Sequence, residues 1–199
     1  MLCIVDVGLG NTSSVRNMIQ RLGHDAELRG TPDGMTNDDR YILPGVGAFD
    51  EGVRRLQASG WFDHLQSVPD TTHILGICLG MQLLARTSEE GSLRGLQRIP
   101  AEFVRFRGAE PVPHMGWNIV TELRDDPIFD PSIPERRYYF THTYHAFCDD
   151  PEIAIATTDY GRTFTSAYRV NNTYGVQFHP EKSHKFGMSL FSQWLDFSC

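Results

Sequence analysis

Between His73 and Arg86 the chain passes from a short apolar run to a run of helix formers, with one cysteine and two framing glycines at the change. His73-Ile74-Leu75-Gly76-Ile77 is short and rich in branched residues, the pattern of a parallel strand buried on both faces. Met81-Gln82-Leu83-Leu84-Ala85-Arg86 consists almost wholly of residues that favour a helix. A strand that becomes a helix in so few residues has to turn sharply, and Gly76 and Gly80 let strand and helix approach closely there. The turn puts Cys78 where unpaired backbone N–H groups and the positive end of a helix dipole favour a thiolate. This is the logic of the nucleophile elbow, with sulfur in place of oxygen. Most free cysteines are small buried hydrophobes, but the glycine bracket and a distant His-Pro-Glu sequence favour Cys78 as a nucleophile.

The surrounding pattern predicts where such an elbow belongs. Leu2 to Val7 reads as a strand and Gly8-Leu9-Gly10-Asn11 as a turn. A helix capped by Thr12 or Ser13 then runs through Val15, Met18, Ile19 and Leu22 to Gly23. Tyr41-Ile42-Leu43 is a second short strand, closed by Pro44-Gly45-Val46-Gly47, and an amphipathic helix through Val53 and Leu56 follows. This alternation predicts an α/β fold: a doubly wound, mostly parallel sheet with helices on both faces and ligands at the carboxyl ends of the strands. Six shorter strands are expected in the second half, over 103–106, 117–121, 138–142, 153–157, 164–170 and 174–178. They suit mixed or antiparallel extensions of that sheet. Ser183 to Phe197 reads as a closing helix with Phe186, Leu190, Phe191 and Trp194 on its buried side. A chain of 199 residues suits one domain, 1–199, with a full-sized core.

Composition narrows the function. A formal net charge of −7 argues against sequence-independent nucleic-acid binding, which needs a basic footprint. No apolar run is long enough to span a bilayer, and the N-terminus reaches Asp6 too soon for a signal peptide. Cys3, Cys78, Cys148 and Cys199 show neither C-x-x-C pairing nor zinc spacing, so reduced thiols in the cytoplasm are expected. The eight histidines form no H-E-x-x-H or similar cluster, and neither a metal nor a cofactor is expected. His142 and His145 lie at a strand end, a pair without the carboxylates that would suggest a metal.

His179 and Glu181 are the partners the elbow needs. They follow the apolar strand Tyr174–Phe178, and Pro180 holds His179 extended, so alternation sends both side chains the same way. A histidine beside a nucleophile serves as base and then acid, and a carboxylate behind it fixes its tautomer. Without such a role His179 would be a hydrogen-bonded core histidine and Glu181 an acid at a helix N-terminus. An oxyanion hole would draw one donor from the N–H of Leu79 and a second from the loop holding Val46 and Gly47.

Gly-Ile-Cys-Leu-Gly-Met-Gln at 76–82, Pro-Gly-Val-Gly at 44–47 and Phe-His-Pro-Glu-Lys at 178–182 resemble the class I (triad) glutamine amidotransferases. Asp-Val-Gly-Leu-Gly-Asn at 6–11, Pro-His-Met-Gly-Trp-Asn at 113–118 and Tyr-Tyr-Phe-Thr-His-Thr-Tyr at 138–144 are similar to the subfamily of imidazole glycerol phosphate synthase glutaminase subunits. The resemblance spans essentially the whole chain. It implies that Cys78 attacks the side-chain amide of L-glutamine, His179 protonates the departing ammonia and Glu181 orients His179. It further implies glutamine contacts from Gly47, Gln82, Glu90 and the Thr143–Tyr144 backbone. Read by itself, Glu90 is equally a solvated loop acid beside Glu89. The implied partner is a (β/α)8 barrel synthase subunit in a heterodimer, contacted through Asn11, Trp117, Tyr139 and Lys182 and receiving ammonia through an internal path. The Val46 loop would then complete the oxyanion hole only with the partner engaged. Packing alone would place Trp117 and Tyr139 in the core.

Ser183–Gly187 and Phe164–Ala167 are also similar to paralogous amidotransferases that supply ammonia for sugar amidination; within this stretch His184 reads as a solvated helix residue. Two further readings are a stand-alone thiol hydrolase of γ-glutamyl bonds and a non-catalytic regulatory subunit. The first would not need Trp117 or Lys182 exposed. Intact Cys78, His179 and Glu181 speak against the second.

Overall fold

The computed structural model describes residues 1–108 and 110–197; Cys199 lies outside the described residues. The first half alternates as expected: β1 (Leu2–Val5), α1 (Thr12–Arg21), β2 (Glu27–Arg29), β3 (Arg40–Gly45), α2 (Phe49–Ser59), α3 (Trp61–Ser67), β4 (Ile74–Cys78) and α4 (Leu79–Leu84). The second half is strand-rich: β5 (Thr87–Ser88), β6 (Ala101–Arg105), β7 (His114–Glu122), β8 (Arg136–His142), β9 (Tyr144–Cys148), β10 (Ala154–Asp159), β11 (Thr163–Val170) and β12 (Thr173–Val176). The helix α5 (His184–Phe197) follows.

Among the described residues, one mixed sheet runs β2-β1-β3-β4-β12-β11-β10-β7-β8, with β9 bridging β11 to β6 and β6 pairing β5. The segment β2-β1-β3-β4-β12 is parallel, and from β12 through β8 each neighbour is antiparallel. Alternation along the parallel strands builds two cores. Leu2, Ile4, Ile42, Leu75 and Ile77 face α1 and α5, whereas Cys3, Val5, Tyr41, Leu43 and Ile74 face α2, α3 and α4. The continuous apolar run of β4 therefore records coverage on both faces, as parallel strands require.

Several local expectations change. The side chain of Asn11, not of Thr12 or Ser13, caps α1 by accepting from the Ser14 N–H. The helix after the elbow starts at Leu79 and stops at Leu84, because Ala85 is extended. The last strand stops at Val176, with Phe178 still buried beyond it. β2 and β5 are too short to show a strand pattern, β9 owes its conformation to pairing with β6 and β11, and α3 is hidden behind α2 by a turn at the left-handed Gly60. Among the described residues no helix is long and apolar enough to cross a membrane.

Candidate active site

Parallel topology assembles the site. β3, β4 and β12 are adjacent and parallel, with Gly45 paired to Cys78 and Ile77 to Val176. Their carboxyl ends therefore lie at one edge of the sheet. There the chain continues into the Val46-Gly47 loop, the elbow and the His179 turn, three segments far apart in sequence.

The elbow is held by contacts only glycine allows. A Cβ on Gly80 would lie 1.7 Å from the Leu43 carbonyl oxygen, and one on Gly76 would lie 2.7 Å from that of Gly80. Helix α4 is thus pressed onto β3 and β4, and the turn is absorbed at Cys78, a non-glycine residue with φ +54° and ψ −108°. Such backbone strain persists only where the surroundings over-determine it, and it clusters at functional positions. Leu79, whose N–H was the expected oxyanion donor, is the first residue of α4 and lines the same cavity as Cys78.

His179 is extended (φ −103°, ψ 94°) and almost wholly buried, and its Nδ1 lies 2.7 Å from Glu181 Oε1. Pro180 and Glu181 open a short 3₁₀ turn, which sets the carboxylate beneath the ring. Burial by itself would lower the His179 pKa. The hydrogen bond to Glu181 and the nearness of Cys78 and Glu181 outweigh it and lift the pKa to about 9. A ring so poised holds a proton beside Cys78 and can deliver it to a leaving group.

Side chains that sequence reasoning missed brace this pair. Ser183 Oγ donates to the His179 carbonyl at 2.6 Å and accepts from the Tyr139 N–H at 3.0 Å. The His179 N–H donates to the Tyr139 carbonyl at 2.9 Å, tying the turn to β8. Gln177, fully buried, directs Nε2 at Cys78 Sγ from 3.8 Å. Its place one residue before Phe-His-Pro-Glu is the signal that could have found it, since the sulfur lies at the same strand edge.

Cys78 opens on a cavity of about 250 Å³ whose lining includes Val46, Gly47, Leu79, Gln82, Glu90, Thr143 and Tyr144, together with Pro113, Thr141 and His142. All five residues expected to contact glutamine are therefore gathered in one place. Gln82 Oε1 is buried there without a hydrogen-bond partner. Gly47 adopts φ +116°, a conformation suited to glycine, and Val46 beside it exposes its side chain. Glu90 is more than a solvated acid: its carboxylate accepts from the Phe49 N–H at 2.8 Å and caps α2. Asp50 fastens the same loop by accepting from the N–H groups of Ser92 and Leu93, each at 3.0 Å. Among the described residues no cluster of three or more His, Cys, Asp or Glu side chains could hold a metal ion.

Three of the four residues expected at a partner surface lie together, Trp117 and Lys182 exposed and Tyr139 half-buried between them. Trp117 is 48% exposed, so it is not core; it meets Tyr139 edge-on at 6.4 Å between centroids. Lys182 Nζ stands 5.7 Å from the half-buried Tyr139 ring. His184 is the exposed helix residue expected, starting α5 at φ +48°, and it also stacks parallel to Trp117. Asn11, the fourth, is exposed at the start of α1, which packs against the Pro180–Lys182 turn.

Comparison with known proteins gives a consistent picture. The model of the family "Glutamine amidotransferase class-I" matches residues 3–195. A protein of Methanococcus maripaludis called imidazole glycerol phosphate synthase subunit HisH 2 is 45% identical, covering 98% of each chain. One of the same name from Pseudomonas aeruginosa is 42% identical, covering 98% of this chain and 99% of the relative. The crystal structure of a glutamine amidotransferase from Thermotoga maritima shares the fold with a TM-score of 0.68 at 16% identity, over 99% of this chain and 96% of that one. A parallel sheet whose strand ends present a cysteine elbow and a His-Glu pair is thus accompanied by kinship over the full length: the chain belongs to the class-I glutamine amidotransferase family.

Proposed function

We propose that this chain is the glutaminase subunit of an imidazole glycerol phosphate synthase of histidine biosynthesis, acting in the cytoplasm. The observation that carries this reading is the cavity that gathers Cys78 and all five expected glutamine contacts, with the His179–Glu181 pair interacting with Cys78 at its edge. The names of the full-length relatives support it.

In this reading Cys78 Sγ attacks the carboxamide carbon of glutamine, and the new oxyanion is met by the Leu79 N–H and the Val46–Gly47 loop. His179 gives its proton to the nitrogen, the C–N bond breaks, and ammonia leaves a glutamyl thioester. Water then attacks the thioester carbon while His179 takes its proton, releasing glutamate and restoring the sulfur. Glu181 keeps the proton-bearing Nδ1 of His179 engaged throughout, so Nε2 does the transfers. Glu90 and Gln82 supply polar groups for the amino-acid end of the substrate.

The ammonia passes to a (β/α)8 barrel synthase subunit held in a heterodimer. Ammonia set free in bulk water is protonated and lost as a nucleophile, so the transfer needs a closed path. Trp117, Tyr139 and Lys182 are the partner-facing group, since exposed large aromatics are favoured at interface centres. Asn11 extends that surface toward α1.

The test is glutamate release from glutamine by the purified chain, with and without the barrel subunit and its nucleotide ligand. Strong stimulation by the liganded partner, silenced in Cys78→Ala, is the expected result. Equal activity in both conditions would overturn the synthase reading in favour of a stand-alone hydrolase. Stimulation only by a barrel subunit that aminates a sugar would move the acceptor to that reaction.

A further inference from the structure

A line of polar groups that the mechanism does not use runs from the cavity to strand β7. Tyr144, in the cavity wall, turns its carbonyl to His142 Nδ1 at 2.8 Å. His142 Nε2 lies 2.9 Å from His114 Nδ1, and His114 Nε2 lies 3.2 Å from Asn118 Nδ2. Both imidazoles are buried, His114 at 2% and His142 at 5% exposure.

Donor and acceptor roles along this line follow from its two ends. A carbonyl only accepts, so the proton of a neutral His142 sits on Nδ1 and Nε2 must accept. His114 therefore carries its proton on Nδ1, and its Nε2 accepts in turn. At the other end Asn118 Nδ2 also donates to the Asp159 carbonyl at 2.9 Å, while its Oδ1 accepts from the Ile119 N–H at 2.8 Å. These contacts orient the amide as the donor that His114 needs. Both ends thus impose one direction. Burial favours the neutral rings this requires, pushing the His114 pKa down to about 4 and that of His142 to about 3. His114 is clamped between the rings of Phe140 and Tyr160, at 4.7 and 4.1 Å, which holds its orientation.

We infer that Asn118, His114 and His142 form a one-way hydrogen-bond relay that positions the Thr143–Tyr144 wall for the carboxylate of the substrate. The Thr143 carbonyl is already engaged by the Phe106 N–H at 3.1 Å. The relay engages the Tyr144 carbonyl as well, so each carbonyl accepts a hydrogen bond from within the protein, which directs it away from an anion in the cavity. The three are positioning residues, acting through the backbone of the wall. This inference rests on the glutamine reading of the cavity, and its test separates the two.

Imidazole ¹⁵N NMR of the full chain at neutral pH reads the relay without any assay of activity. Both His114 and His142 are expected as neutral Nδ1–H tautomers, the minor form of free imidazole. An Nε2–H tautomer or a protonated ring at either position overturns the relay. Steady-state glutaminase kinetics in the complex that supports turnover then read its purpose. His142→Phe, which keeps an aromatic ring and loses the donor, is expected to raise the KM for glutamine about tenfold, the weight of one buried hydrogen bond, with kcat little changed. His142→Gln, which can restore a donor, is expected to recover part of that loss. An unchanged KM in His142→Phe sinks the positioning role. A wild-type chain without glutaminase activity in any complex would sink the glutamine reading instead, while the tautomers would still decide the relay.

Discussion

Strands β4 and β7 both carry large apolar side chains yet place them in opposite surroundings. Every residue of β4 is buried, and helices cover it on both sides. In β7 burial alternates, and Met115, Trp117 and Ile119 stand exposed on one face. Folding accounts for the apolar residues of β4, whose removal would open the core. It does not account for Met115, Trp117 and Ile119 of β7, which the chain leaves in contact with solvent while Val120 joins the core. A row of exposed large apolar side chains on one strand face is the mark of a surface meant for another molecule. The sheet edge that carries Cys78 lies between these regimes, with a rigid elbow on one side and an open aromatic group on the other.

The sharpest way to break this comparison is at the elbow. Gly80→Ala drives a Cβ into the Leu43 carbonyl, a backbone atom that cannot step aside. A loss of more than about 4 kcal/mol of stability is expected, the range of severe core overpacking combined with backbone displacement. Denaturant unfolding checks it, and a variant within about 1 kcal/mol of wild type would mean the elbow is looser than the contact requires.

Glu181→Gln probes the site without touching the core. Losing this carboxylate is expected to cut kcat by about 10²-fold or more, as orienting acids of histidine bases do. The pH profile carries the more specific signature. Glu181 and Cys78 raise the His179 pKa to about 9, so the ring keeps its proton below that pH and loses it above. Wild-type turnover should therefore decline as pH rises through about 9. In Glu181→Gln the decline should begin at lower pH, because one of the two groups holding the proton is gone. Profiles that superimpose would exclude Glu181 as the cause.

Trp117→Ala should have the smallest effect on the isolated chain. Its side chain is half exposed, so unfolding stability is expected to change by no more than about 1 kcal/mol, including the lost stacking on His184. Binding to the barrel subunit, measured by titration calorimetry, is expected to weaken by about 2 kcal/mol. The reverse outcome, a destabilised chain that binds normally, would return Trp117 to a packing role.

How much of this was legible follows from the reach of each signal. The elbow was readable because a strand, two glycines and a helix are contiguous, and the His-x-Glu spacing fixed the relation of His179 to Glu181 within two residues. The α1 cap was misplaced by one or two positions, since Asn11, Thr12 and Ser13 are all capable caps and only backbone geometry selects among them. β9 was missed because Tyr144–Cys148 owes its conformation to pairing with β6 and β11. Ser183 carried no signal of its own, and Gln177 only its place beside Phe-His-Pro-Glu: the groups they reach, Tyr139 and Cys78, lie 44 and 99 residues away.

By itself the sequence determined the alternating α/β class, the strand-turn-helix at Cys78 and the pairing of His179 with Glu181, because each depends on residues a few positions apart. Tertiary structure alone decided that three strand ends share one edge, that Glu90 caps α2 as well as lining the cavity, and that Trp117 faces solvent. It also decided the order of donors from Asn118 to Tyr144. Those facts rest on strand order and on contacts between distant segments, and no local pattern of residues encodes either.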